Sequence, residues 1–208
     1  MSPDAAIAEL DHIQEQYVDD QPPSMLTAWC DIASAHSDNS AVAAKATEAI
    51  CDAVRNNPRN AAAAVGAGVI PVVLALMARH VPSEHVQGRG CWALRLLVGA
   101  HPAAADAIAS NEGFDGRLYV AMEAHLTSGL VQGNACLAIE RIAKHSVTGK
   151  MVLVSGRAVE VCTRAVRVTQ DSAYDALAVL TGTVSALIAA CALMDVCLCF
   201  DWCDWCFN

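Results

Sequence analysis

Aromatic side chains are scarce in this chain: Phe, Trp and Tyr make up 5% of its 208 residues. Runs of β-branched residues are few as well, which argues against a sandwich or a barrel. Charge is thin, at 17% Asp, Glu, Lys and Arg, and no Lys or Arg follows Arg167. The formal net charge of −9 argues against nucleic acid as a partner, because affinity there rests on neutralising phosphates. No P-loop, Gly-x-Gly-x-x-Gly, Gly-x-Ser-x-Gly or His-Glu-x-x-His pattern occurs. The corresponding phosphate-cradling, nucleophilic and metalloprotease chemistries therefore have no residues to carry them. A basic start leading into an apolar run is also missing. Met1-Ser2-Pro3-Asp4 opens an acidic helix, so a cytoplasmic location with reduced thiols is expected.

What is present is apolar and helical. Hydrophobic residues reach 55%, and Ala is abundant throughout. That composition supports a packed helical core and excludes a disordered chain. Residues 1–60 hold ten acids against three bases, whereas residues 61–167 hold seven against ten. The mildly basic middle is the part suited to an acidic partner.

The order within this composition is a repeat. Val86-Gln87-Gly88-Arg89-Gly90-Cys91-Trp92-Ala93-Leu94 returns 45 residues later as Val131-Gln132-Gly133-Asn134-Ala135-Cys136-Leu137-Ala138-Ile139. His36, His80 and His125 keep the same phase, each six residues before Val42, Val86 and Val131. Ala46, Gly90 and Ala135 recur as small residues where stacked helices are expected to approach, and Gly68, Gly113 and Gly156 recur as turns. Each period thus predicts a short helix, a glycine turn, a middle helix, a polar loop and a long third helix. The last period, from Met151, has a shortened loop at Val168–Asp171 and a third helix over Ala173–Leu180. Before the array, an acidic helix over Asp4–Val18 and a Pro-containing linker occupy residues 1–24. The array spans 25–181, and an apolar, Cys-rich tail covers 182–208.

Gly66-Ala67-Gly68-Val69-Ile70-Pro71-Val72-Val73 followed by Val86–Leu94 resembles the armadillo repeat. The Ala121–Cys136 variant is similar to arrays in Roco-type kinases and protist armadillo proteins. The resemblance implies an all-α, right-handed α-solenoid of three to four three-helix, armadillo/HEAT-like repeats. It also implies a protein–protein interaction scaffold rather than an enzyme, with third helices lining a concave groove for a protein or peptide segment. Importin-α-type repeats carry Trp-Ala-Leu-Ser-Asn, whereas here Leu96 stands in place of the Asn. At the flanking equivalents Glu48 and Leu137 replace the Trp, and Asp52 and Arg141 the Asn. The paired Trp and Asn array of nuclear-signal binders is therefore missing.

Positions i, i+3 and i+7 of each third helix are the candidates for partner contact. They are Lys45, Glu48 and Asp52; Arg89, Trp92 and Leu96; and Asn134, Leu137 and Arg141. Together they make a mixed-charge surface with one aromatic anchor, unless Trp92 packs against a neighbouring repeat. The recurring histidines, His80 with His125 and His101 with His145, would sit about 10 Å apart on stacked helices, too far to share one tetrahedral ion. Helix-end residues that satisfy C-terminal carbonyls are the better account of them. No metal, cofactor or catalytic residue is expected.

Cys30, Cys51, Cys91, Cys136 and Cys162 fall singly in apolar helical patterns and read as buried free thiols. Cys197, Cys199, Cys203 and Cys206 crowd within ten residues, without the two separated knuckles of a structural zinc site. The uncharged run Ala176–Met194 has two readings: a capping segment for the last repeat, or a membrane anchor of minimal length with acidic flanks. A third reading makes the chain a fragment of a longer repeat protein.

Overall fold

The computed structural model describes residues 1–16, 23–169 and 171–181. Among them the protein is all-α, with twelve helices and no strand. In order these are α1 (Pro3–Gln16), α2 (Pro23–Ala35), α3 (Ser40–Val54), α4 (Pro58–Gly66), α5 (Val69–Arg79) and α6 (Glu84–Ala100). There follow α7 (Ala104–Ala109), α8 (Phe114–Ala124), α9 (Gly129–His145), α10 (Val147–Ser155), α11 (Ala158–Thr169) and α12 (Asp171–Thr181).

Their boundaries follow from short polar residues at the right places. The Asn39 side chain accepts from the amides of Ala41 and Val42 at the start of α3. Ser83 and Ser128 do the same for the Val86 and Val131 amides of α6 and α9, one period apart. Asn57 caps α4 with Pro58 in its first turn, where a missing N–H costs nothing. Pro23 likewise opens α2, so this helix begins inside the stretch expected as linker.

Gly68 and Gly113 take left-handed φ of 78° and 71° just before α5 and α8, which a residue with a Cβ rarely adopts. Gly156 does not follow them, with φ −86° and ψ −146°. It is required for space instead: a Cβ there would meet the Tyr119 hydroxyl at 2.8 Å and the Val152 carbonyl at 3.1 Å. The phase of the third glycine is therefore real, but its turn is different.

Helix neighbours recur with a step of three. The long helices pack in the order α3, α6, α9, α12; the middle helices in the order α2, α5, α8, α11; and α4, α7 and α10 form a third row. Within each period the first helix lies on the third, α4 on α6 and α7 on α9. The acidic α1 lies on α3 in the same manner, burying Ala6 and Leu10. A single buried core runs through all twelve helices, with Trp29, Ile50, Leu94 and Phe114 among its fully enclosed side chains.

Close approaches occur at glycines, but at the one expected to mark stacking the neighbour belongs to the same period. At Gly90 an added Cβ would meet Met77 Cγ at 2.5 Å, which belongs to α5 of the same period. The approach between successive long helices is at Gly88, where Leu130 of α9 lies 2.6 Å from the Cβ position, and at Gly99, which receives the Arg141 guanidinium. The small residue at 90 serves packing within a period; those at 88 and 99 serve packing between periods.

Two buried polar clamps hold the loops in phase. Gln87 Nε2 donates to the carbonyls of Met77 (2.8 Å) and His80 (2.9 Å), and Gln132 Nε2 to those of Met122 (2.6 Å) and His125 (3.0 Å). The Met77 and Met122 carbonyls are in the last turns of α5 and α8, where the helix supplies no donor; those of His80 and His125 also accept from the amides of Ser83 and Ser128. The His80 ring Nε2 lies 2.7 Å from the Ser37 carbonyl and His125 Nε2 lies 2.8 Å from that of Val81. A carbonyl can only accept, so each ring carries its proton on Nε2. The histidines do satisfy carbonyls near helix C-termini, but those of the preceding period rather than their own.

Candidate functional site

The nine candidate residues lie along α3, α6 and α9, and the six polar ones spend their side chains sideways, four of them on a neighbouring long helix and two on α1. Lys45 pairs with Asp11 of α1 at 2.5 Å. Gln14 of the same helix donates to Asp52 at 3.0 Å, and Asp52 also receives Arg55 at 2.9 Å. Glu48 of α3 pairs with Arg89 of α6 at 3.0 Å. Asn134 of α9 accepts from Arg95 of α6 at 2.8 Å and donates to the Leu130 carbonyl. Arg141 reaches back from α9 and donates to the Arg95 carbonyl at 2.9 Å, across Gly99.

Trp92 is engaged within the fold. Its ring is partly buried against the core, and the Arg55 guanidinium covers it 4.7 Å from the centroid, a cation–π distance. Leu96 is likewise half-buried and packed on the core. Leu137 is half-exposed on α9. The row is therefore a half-buried strip of α3, α6 and α9, cross-linked at every step, with Trp92, Leu96 and Leu137 as its apolar members.

Arg95 belongs to this strip and escapes an i, i+3, i+7 reading, because it falls one position before Leu96. Its Nε is buried without a partner. Burial, and secondarily the neighbouring Arg141 guanidinium, lower its pKa. Its apolar neighbours Leu94, Leu96 and Leu97 hide it in the sequence; only the lateral position of α9 reveals its role.

A second charged cluster joins α8 to α11. Arg157 pairs with Glu123 at 2.6 Å and with Glu160 at 3.0 Å, and Arg164 bridges the same two carboxylates at 3.2 and 3.1 Å. The arginine hydrogen bonds hold both carboxylates below their usual range, Arg157 making the largest contribution to each. Three of the four groups are exposed, Glu123 is half-buried, and the charges neutralise one another, which gives a surface network rather than a reactive centre.

Reactive thiols are not offered by this surface. Cys30, Cys51, Cys91, Cys136 and Cys162 are free and buried. Burial pushes Cys51 and Cys91 up to about 12; the contact with Cys136, whose Sγ lies 3.9 Å away, and then burial raise Cys162. Such thiols pack as small hydrophobes. Among the described residues no three His, Cys, Asp or Glu side chains converge as metal ligands.

Of the uncharged run 176–194, the first six residues belong to α12, where Ala176, Leu177 and Leu180 are buried. The remainder, and the Cys-x-Cys-x3-Cys-x2-Cys tail, lie outside the described residues. No single described helix is long and apolar enough to cross a membrane. The bent pair α4 and α5 passes by composition, but its apolar side chains Ala61, Ala64, Val73 and Leu76 are core residues. Set against known proteins, the chain matches no family model, no curated protein and no solved structure.

Proposed function

We propose that the chain is a non-enzymatic α-solenoid of armadillo type that holds a protein or peptide segment along the strip formed by α3, α6 and α9. The observation that carries the reading is the succession of long helices, α3 on α6, α6 on α9 and α9 on α12, each paired with the next. Stacking of this kind turns equivalent positions of successive periods into a continuous surface, which is what an extended partner needs. The lateral bonds from Asp11 to Lys45, Glu48 to Arg89 and Arg95 to Asn134 hold that surface rigid before a partner arrives. Preorganisation lowers the entropy lost on binding. Trp92, Leu96 and Leu137 then supply the apolar anchors, and the surrounding pairs a polar rim.

Charge reversal at Arg89 or Arg141 is a poor probe of this surface, since it also breaks the Glu48 pair or unseats the group lying across Gly99. Leu137 is cleaner. A photo-crosslinking amino acid placed at Leu137 should capture a protein, whereas the same group at exposed Val159 on α11 should not. Equal capture at the two positions, or none at Leu137, would remove the strip as the binding surface.

A further inference from the structure

Exposed apolar side chains gather on one helix. Val147, Met151 and Val154 are 80%, 68% and 46% exposed and lie at i, i+4 and i+7 of α10, on a single face. They line an open trough of about 660 Å³ whose opposite wall includes Leu180 of α12 and the end of α9. Each first helix buries one face: Ala61 and Ala64 in α4, Ala104, Ala105 and Ile108 in α7, and Gly149 and Leu153 in α10. On the outer face α4 carries Pro58, Ala62 and a half-buried Val65, whereas α10 carries the bulkier and more exposed Val147, Met151 and Val154. The trough has no converging set of rigid polar groups of the kind that orients a small ligand. Its polar lining includes Lys144 and Lys150 at the rim, both long and flexible.

The residues that follow in sequence match it in three respects. Leu180 lines the trough and Gly182 comes two positions later, so the following segment is delivered to its edge by the chain itself, at high effective concentration. Val184 to Met194 carries Val184, Leu187, Ile188, Leu193 and Met194 and no charge, which suits the apolar floor. Asp195, Asp201 and Asp204 come after it, and no Lys or Arg does, which suits the Lys144 and Lys150 rim. A membrane surface shares the apolar match, but the acidic residues beside the segment oppose the anionic lipid face that usually attracts such elements.

We propose that the trough between α10 and the ends of α9 and α12 is a docking seat for residues 184–194 of the same chain. The inference stands apart from the strip on α3, α6 and α9, and neither depends on the other.

The test uses the full chain carrying Met151→Cys, a substitution at an exposed position, oxidised by glutathione disulfide. Two thiols are joined and the glutathione is reduced. The expected product is an intramolecular link between position 151 and Cys191, at least fivefold more abundant than any link from Glu112→Cys, an exposed control on the α7–α8 turn. Adding Ile188→Glu should reduce that link severalfold and raise the fluorescence of an apolar dye. A link yield no higher than the control overturns the proposal. So does a link recovered only between two chains, which would make a second copy the occupant. Uptake of the wild type by phosphatidylcholine vesicles, abolished by Ile188→Glu while the dye signal of the vesicle-free protein stays unchanged, would assign the segment to a membrane and overturn it equally.

Discussion

The inner periods, α4–α6 and α7–α9, differ from the last, α10–α12, in what the same sequence plan is asked to do. An inner period is covered on two sides, and its residues show it. Phe114 opens α8 fully buried, whereas Arg157, in the equivalent place after its glycine, opens toward solvent and joins Glu123 and Glu160. Gln87 and Gln132 clamp the inner loops, and His80 and His125 tie each loop to the one before. In the last period α10 keeps Val147 and Met151 in the open. The same sequence plan thus places a buried ring after one glycine and a solvated ion-pair network after the next, according to which helices lie beside it.

The largest expected break comes from Phe114→Ala, which removes a ring from the two-sided region. A loss of about 4 kcal/mol is expected in urea unfolding, while Arg157→Ala at the equivalent place should leave the urea midpoint nearly unchanged. Equal losses would show that the last period is as tightly held as the inner ones. Thiol labelling sharpens the buried side of the comparison. With Cys51 and Cys91 pushed up to about 12, their thiolate population at neutral pH is roughly a thousandfold below that of an ordinary cysteine. Alkylation of the native protein, followed by mass spectrometry, should leave both unmodified.

Gln132→Leu comes next. It strips the Met122 carbonyl of its donor and leaves that of His125 with the Ser128 amide alone, and about 2 kcal/mol should be lost, seen as a lower urea midpoint with an unchanged slope. The smallest effect is electrostatic. Glu123 and Glu160 are held below the usual carboxylate range by Arg157 and Arg164, so the stability they contribute is complete above that range. It disappears as pH falls through their depressed folded values. The difference in unfolding midpoint between wild type and Glu123→Gln should therefore be present at pH 7 and vanish in acid. A difference that grew on acidification would contradict the pairing.

Much of this organisation was legible in the residues. Asn39, Ser83 and Ser128 mark helix starts, Gly68 and Gly113 mark left-handed turns, and the recurrence of His80 and His125 marks a common structural job. The candidate strip was legible in position but not in state. Lys45, Glu48, Arg89 and Asn134 lie on the long helices as the period requires, yet their side chains are bonded to α1, to each other and to Arg95. Periodicity on one helix cannot report a partner on the next. For the same reason the sequence pointed to Gly90 as the stacking residue, when Gly88 and Gly99 occupy that role.

By itself, then, the sequence determined the helices, their caps and their phase, because hydrogen bonding to the next turn and alternation of apolar faces are local properties. The tertiary structure decided everything that depends on a neighbour. It turned His80 and His125 toward the preceding period, drew Arg141 across Gly99, pressed Gly156 against Tyr119 and left the face of α10 open. Those outcomes follow from which helices come within contact distance, and that is a property of the stack rather than of any one stretch of chain.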